Sequence, residues 1–272
     1  MVCRNDTTLP VFFTPEETLV ERNISSLRPL QIAPPNVHYF HCDLASPDKI
    51  KNAADNIKRH FGNPTILINN AGFARGKTIL TTTQSDLSLT FDINTKSHYY
   101  LAQAFLPSMI EKNHGMVVTV ASLGAYVTVP QLVDYCASKA AAMVFHEGLA
   151  AELATLYKAP KVRTVLMCQS YTNTPLFEGF HRGDRFMAYP LAPETVAEEV
   201  VKAVLSGRSA HILIPRNHVT MKAFRAWPIW AQMGVRNDQT KLMKNWKGRQ
   251  VVQPSESENE MGESKTYEKV DR

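Results

Sequence analysis

From Val37 onward the chain alternates apolar, β-rich runs with helical patterns, and this alternation dictates a parallel sheet flanked by helices. Val37–Cys42 reads as a strand. Ser46 and Pro47 then open a helix to about Phe61, the serine as its cap and the proline at its first position. Thr65–Ile68 is the next strand, and a long helical region covers roughly Ser85–Lys112. Met116–Ala121 is a strand apolar but for Thr119, and the Ala- and Leu-rich stretch Val133–Leu156 is a helix suited to close packing. Val162–Cys168, Pro193–Ser206 and Ala210–Ile214 complete the series as strand, helix and strand, with no internal repeat. The expected fold class is α/β, with a doubly wound, mostly parallel sheet.

A length of 272 residues with 44% hydrophobic content buries one substantial core. The balance of 30 Lys+Arg against 25 Asp+Glu is too mild and scattered for a nucleic-acid partner, which needs a basic stripe interleaved with aromatics. Cys3, Cys42, Cys136 and Cys168 lack metal-ligand spacing, so no metal is expected and the thiols should be reduced. No run approaches the ~18–20 apolar residues of a membrane span. The first 25 residues carry Asp6, Glu16, Glu17 and Glu21 instead of a signal peptide's apolar core. The expectation is an intracellular, cytoplasmic protein.

Four polar residues stand out against this frame. Tyr135 and Lys139 are four apart on a helix and face the same way. Ser122 leaves the carboxyl end of the strand Met116–Ala121, thirteen residues before the tyrosine, and Asn94 lies in the long helical region. Ligands of open α/β sheets gather at that carboxyl edge. A tyrosine can give or take a proton in a reaction, but free tyrosine, with a pKa near 10, is a poor base at neutral pH. A lysine ammonium one turn away is expected to stabilise the phenolate. Lowering the tyrosine by ~3 units takes about 4 kcal/mol of differential interaction in a partly desolvated site. Ser122 is suited to donate a hydrogen bond to the substrate oxygen.

These residues, preceded by Asn69-Asn70-Ala71-Gly72 directly after a strand, resemble the short-chain dehydrogenase/reductase family over about residues 37–215. The resemblance implies a Rossmann-like fold and an NAD(P)-dependent oxidoreductase, with NADP or NAD as cofactor and NADP weakly favoured. It makes Tyr135 the acid/base, Lys139 its pKa-lowering partner and ribose ligand, Ser122 the substrate polariser, and Asn94 the holder of a relay water. Asp43 matches the contact to the adenine amino group, and Asn70, Ala71 and Gly72 the segment along the adenosine ribose. The family's Pro-Gly after the strand ending at Cys168 is replaced by Gln169-Ser170-Tyr171-Thr172-Asn173-Thr174. There the Thr172 backbone would face the nicotinamide amide and Thr174 keeps the family's threonine. A homodimer through the helices carrying Tyr135 and Asn94 is also implied.

The N-terminus departs from this pattern. Residues 1–61 contain no glycine, whereas the family opens with a strand and a Gly-rich turn that brings the pyrophosphate to a helix N-terminus. Pro10–Phe13 is a candidate first strand, Thr14-Pro15-Glu16-Glu17 a capping box, and Ser26–Leu30 a candidate second strand with Arg28 near the cofactor-choosing position. Glu16 and Glu17 would stand where the pyrophosphate should bind, so weakened dinucleotide affinity is expected. Residues 1–26 are therefore an atypical N-terminal segment with an incomplete or altered first βαβ unit, and 27–218 the main domain.

Beyond it, 219–251 forms a basic extension with Trp227, Trp230 and Trp246, and 252–272 a polar tail expected to be disordered. Two readings of the extension stay open: an interfacial helix in peripheral contact with an acidic membrane, or a segment packing its tryptophans on the domain or a partner. Leu123, Tyr126, Val127, Leu176, Phe177 and Phe180 suggest a hydrophobic small-molecule substrate, with plain packing the competing account. Phe177–Pro190 is a candidate lid. The alternative to an enzyme is a cofactor-poor relative retained as a binding or dimerisation module.

Overall fold

A computed structural model of the chain describes residues 2–3, 10–12, 38–40, 42–177 and 190–243. Its centre is a parallel ladder of four strands: β4 (Ile66–Asn69), β5 (Gly115–Val120), β6 (Val162–Gln169) and β7 (Ala210–Ile214). Alternation along these strands sorts the core. Leu67 and Val117 face one layer of helices, where α1 (Pro47–Phe61), α3 (Ser97–Glu111) and α4 (Val133–Thr155) pack through Ile50, Ile57, Phe105, Met109 and Leu149. Ile68, Met116, Val118 and Val120 face the other layer, where α5 (Pro193–Ser206) presents Val196, Val200 and Ala203. Helices on both faces of a parallel sheet make this the expected doubly wound α/β fold.

Local signals set the helix ends as anticipated. Ser46 accepts from the Lys49 N–H with Pro47 in the first turn, and α5 again starts on a proline and ends at Gly207 in the left-handed region. The long helical region does not run unbroken. It divides into α2 (Gln84–Phe91), capped by a reciprocal Thr83–Asp86 box, a π-turn over Asp92–Lys96, and α3. Asp86 is buried and also binds Arg75 (2.9 Å) and Lys77 (2.6 Å), which ties the loop after β4 to α2. Burial alone would raise its carboxyl; the bonds from Lys77 and Thr83 outweigh that and hold it at about 2.

The other half of the sheet is built differently. The full order is β3-β2-β1-β4-β5-β6-β7, with β1 Val2–Cys3, β2 Pro10–Phe12 and β3 His38–Tyr39. Pro10–Phe12 is a strand, as anticipated, but the place beside β4 belongs to Val2–Cys3, which runs antiparallel to both β4 and β2. Only residues 4–9 separate β1 from β2, fewer than the ~10–12 a helical crossover requires, so these two strands meet as an antiparallel pair. The capping box at Thr14, Arg28, the strand Ser26–Leu30, and most of the 1–26 segment lie outside the described residues. So do most of the lid and the tail 252–272.

Two imidazoles are shut into the helical layer. Burial pushes His98 down to about 3 and His146 down to about 4, the latter also bonded to the Thr119 hydroxyl at 2.9 Å. Both values lie below the ordinary 6.5, so the unfolded chain takes up these protons first. Stability is then full above about pH 6.5 and is lost as the pH falls toward 4 and 3. Melting temperature should hold steady above neutrality and fall from about pH 6.5, with roughly 2 kcal/mol lost per imidazole by about pH 5. His146→Gln should flatten that fall in a thermal-melting series against pH.

Candidate active site

The carboxyl ends of β4, β5 and β6 converge on one buried group of side chains. Ser122, two residues past β5, is extended and caps a short 3-10 turn over Leu123–Ala125. Its hydroxyl oxygen accepts from the Gly124 N–H at 3.0 Å, and a Cβ on Gly124 would sit 3.4 Å from this oxygen and 3.7 Å from Cε1 of Tyr135, so the two side chains meet here. Tyr135, in the first turn of α4, is 6% exposed, its ring edge-on to Phe177 with centroids 5.8 Å apart. One turn on, Lys139 is 2% exposed and its Nζ donates to the Val120 carbonyl at 2.9 Å, 5.9 Å from the centre of the Tyr135 ring. Gly72, after β4, comes close enough that a Cβ there would sit 3.6 Å from the Lys139 Nζ. Tyr135, Lys139, Ser122 and Gly72 are thus brought together as the sequence implied.

The electrostatics differ from the expectation. Burial drives the Tyr135 phenol up, with Ser122 opposing, and drives Lys139 down to about 8. The expected lowering of Tyr135 by Lys139 does not emerge, because burial of the phenol outweighs it and the Lys139 Nζ stands 5.9 Å from the ring centre with its hydrogen bond on Val120. Desolvation therefore dominates both groups.

Asn94 is held in a network of its own. It is fully buried in the π-turn, where its Oδ1 accepts from the Phe73 N–H (2.7 Å) while its Nδ2 donates to the Phe73 carbonyl (2.8 Å) and to Ser138 Oγ (2.8 Å). Both amide protons are thus spent within the protein, and the oxygen keeps one further lone pair. Thr95 adds a bond from its hydroxyl to the Ser138 carbonyl at 2.9 Å. Ser138, which the motif reading passed over, is the hub of this clamp, and its own hydroxyl donates to the Tyr135 carbonyl at 2.8 Å. Its one sequence signal was a hydroxyl set between Tyr135 and Lys139 on an otherwise apolar helix.

The remaining cofactor-side residues line the same edge. Asn70, exposed, and Ala71 sit with Leu44 around a small cleft, and the neighbouring Asp43 carboxylate accepts from the Ala45 N–H at 2.9 Å and faces Lys49 at 3.6 Å. Asn69 and His98 line that cleft too, both buried and both with side-chain polar atoms lacking a hydrogen-bond partner. Thr172 bridges to Leu191 through bonds of Tyr171 and Asn173, a pattern that leaves its own N–H and carbonyl outside the ladder. Thr174 is half-buried and accepts the Phe177 N–H at 3.0 Å.

The apolar wall is only partly the one anticipated. Leu176 and Phe177 pack with Tyr135, joined by Leu132, Ala74 and Met243 from the C-terminal extension. Tyr126 and Val127 turn instead into a cluster with Cys168, Leu213 and Phe224, the Tyr126 hydroxyl bonding His211 at 2.7 Å. For these two, packing is the correct account. Phe180 lies outside the described residues.

A family model described as short chain dehydrogenase matches residues 11–184. The chain belongs to the short chain dehydrogenase family. Among its relatives, Dehydrogenase RED2 of Cochliobolus heterostrophus is 45% identical over 132 residues, covering 48% of this chain and 50% of that protein. Human 17-beta-hydroxysteroid dehydrogenase 13 is 34% identical over 188 residues, covering 69% of this chain and 59% of that protein. The chain thus spans about half of the length of these curated relatives or slightly more. The fold matches a Thermococcus sibiricus alcohol dehydrogenase complexed with 5-hydroxy-NADP at a TM-score of 0.59, with 19% identity, covering 75% of this chain and 84% of that one. Short chain dehydrogenases use nicotinamide cofactors.

Two substitutions separate framework from chemistry at this candidate site. Asn94→Ala strips partners from three buried groups, each worth about 1–3 kcal/mol, and should lower the melting temperature sharply. Gly124→Ala would bring a Cβ within 3.3 Å of Cys136 Sγ and 3.4 Å of Ser122 Oγ. It should leave the melting curve nearly intact while shifting Ser122 enough to reduce turnover, as steady-state kinetics would register.

Proposed function

We propose that this chain is an NAD(P)-dependent oxidoreductase interconverting an alcohol and a ketone or aldehyde on a hydrophobic small molecule. The observation that carries the reading is the meeting of Ser122 and buried Tyr135 beside Gly124, with buried Lys139 one turn away, at the carboxyl edge of a parallel sheet. In this reading the Gly124 N–H orients the Ser122 hydroxyl, which donates to the substrate oxygen. Tyr135 gives a proton to that oxygen in reduction or takes it in oxidation. Lys139, with a value of about 8, is largely an ammonium at neutral pH and holds positive charge beside the phenol. Asn94, through Phe73 and Ser138, keeps the loop after β4 against α4 so that these distances persist.

The residues present fit the nicotinamide end of a dinucleotide. A bound nicotinamide would accept or supply the hydride. Gly72 leaves open the space beside Lys139 that a Cβ would fill, and the orphaned polar atoms of Asn69 mark a polar lining in the adjoining cleft. Lys139 and Tyr135 would hold the nicotinamide ribose, Asn70, Ala71 and Gly72 the adenosine ribose, Asp43 the adenine, and Thr172 and Thr174 the carboxamide side. NADP is favoured over NAD, in line with the 5-hydroxy-NADP held by the archaeal alcohol dehydrogenase of like fold. Leu176, Phe177 and Met243 around Tyr135 favour an apolar substrate, and the relative named as a hydroxysteroid dehydrogenase supports that class.

One observation favours the second reading, a cofactor-poor binding or dimerisation module. Strand β1 is antiparallel to β4 and too close in sequence to β2 for a helix to lie between them, so it cannot begin a βαβ phosphate-binding unit. Titration with NADP and NAD followed by tryptophan fluorescence separates the two readings: saturable binding supports the enzyme, and none supports the module. With a bound dinucleotide, Tyr135→Phe should lower turnover by well over tenfold, a barrier rise above ~1.4 kcal/mol, without loss of stability. Lys139→Ala should weaken both rate and cofactor affinity. A Tyr135→Phe rate within tenfold of the parent would place the chemistry elsewhere.

The same reading includes a homodimer through α3 and α4. Ala137, Ala141, Val144 and Gly148 form one stripe on α4, Val144 is exposed, and Gly148 has open space around it. Exposed Tyr99 stands beside them on α3, its ring 4.6 Å from Phe145. Val144→Glu should convert a dimer to a monomer in light scattering at micromolar concentration, and a parent chain already monomeric would refute the pairing.

A further inference from the structure

The C-terminal extension carries a helix whose polarity is reversed. After β7 the chain forms a 3-10 segment (Arg216–Ala226) and then α6 (Ile229–Asp238). The inward arc of α6 is made of Ala231, Gln232, Val235 and Arg236. Gln232 is 8% exposed and donates to the carbonyls of Arg225 (3.1 Å) and Trp227 (2.7 Å) while its oxygen accepts from Arg236. The outward arc is Ile229, Trp230 and Met233, residues that fall within about 100° on a helical wheel. Trp230 is 76% exposed and Ile229 68%, and Val219 on the 3-10 segment adds another exposed apolar side chain. A helix that buries its glutamine and shows its tryptophan is not arranged for water alone.

Charge selects the occupant. Residues 216–243 carry Arg216, Lys222, Arg225, Arg236 and Lys241 against the one carboxylate Asp238, and the sequence continues with Lys244, Lys247 and Arg249. A second copy of so basic a surface would meet like charge. Three or four exposed side chains also fall well short of the roughly 800 Å² per partner of a stable protein interface. Although Arg216 pairs with Glu199 at 3.5 Å, an apolar arc with an amphipathic tryptophan on a segment of such positive charge matches the interface of an anionic bilayer.

We infer that Ile229, Trp230 and Met233, carried on this basic segment, form a docking surface for an anionic lipid membrane. The surface is joined to the site already described. Arg225 donates to the Ala125 carbonyl at 3.0 Å, in the turn that follows Ser122, and Met243 ends the extension in the cluster around Tyr135, Leu176 and Phe177. A lipid-soluble substrate would therefore reach Tyr135 past the element that touches the membrane. That second step rests on the catalytic reading, whereas the docking does not.

Flotation of the full chain with vesicles of phosphatidylcholine alone or with added phosphatidylserine tests the docking without reference to activity. Binding is expected to the anionic vesicles, with a blue shift of tryptophan emission and release by high salt. The Ile229→Glu, Trp230→Glu, Met233→Glu variant should bind at least tenfold more weakly while turning over a water-soluble carbonyl compound as the parent does. Lys222→Glu, which leaves the apolar arc intact, should lower binding to the anionic vesicles alone. Absence of binding at low salt, or binding unchanged in the triple variant, overturns the proposal. So does an oligomer that the triple variant dissociates, since a second copy would then cover the face. If docking holds but turnover of a membrane-dissolved alcohol equals that of the triple variant, the substrate route fails and the surface stands.

Discussion

Asn94 binds together three pieces of chain that the sheet alone would not align: the loop after β4, the π-turn, and α4. The loop needs the Phe73 N–H and carbonyl satisfied away from any strand, and α4 needs a fixed rotation so that Tyr135 and Lys139 face the end of β5. One planar amide does both, because its acceptor and two donors lie in fixed directions. The π-turn is what allows it. One extra residue in the helical winding points Asn94 at Ser138 and Phe73 while Ser97 restores a bond to the Ile93 carbonyl. The hydrogen bond from Lys139 to Val120 and the placing of Tyr135 against Ser122 both depend on this rotation.

The parallel half of the fold was legible because its signals are local. Continuous apolar runs bounded by turn residues gave β4–β7, and serine or proline at helix starts gave α1 and α5 to within a residue. The π-turn was not legible: its residues, Asp92–Lys96, read as ordinary helix, and the extra residue is paid back by contacts with α4 that no window of sequence contains. Val2–Cys3 was missed for a related reason. Two residues carry no periodicity, and their pairing with Ile66 and Leu67 is wholly non-local.

At the site, residue identities were readable and their energetics were not. The spacing of Tyr135 and Lys139 fixed their common face, and Ser122 followed from the end of an apolar strand. The direction of the Tyr135 shift is set by how deeply the phenol is buried, which depends on packing against Phe177, Leu132 and Ala74 from distant parts of the chain. Tyr126 and Val127 were drawn into the substrate wall on proximity to Ser122, yet the 3-10 turn points them at Phe224 and His211. The reversed polarity of α6 was invisible in composition, since only burial tells which arc of Ile229–Asp238 faces in.

The antiparallel β1 has a consequence for how the sheet is protected. Its two residues cover Ile66 and Leu67 of β4, and beyond it stand strands of only two or three residues. The eight-residue β6 on the far side is by contrast embedded between full partners. Amide hydrogens of β5 and β6 should then exchange only on global opening, whereas those shared between β1 and β4 exchange through local fraying. Once frayed, β4 is an apolar edge strand without the charges, prolines or bulges that usually guard one, since Ile66, Leu67 and Ile68 follow one another there. Aggregation from the frayed state would begin at that edge, by strand addition to β4, a route separate from the proposed native pairing through α3 and α4.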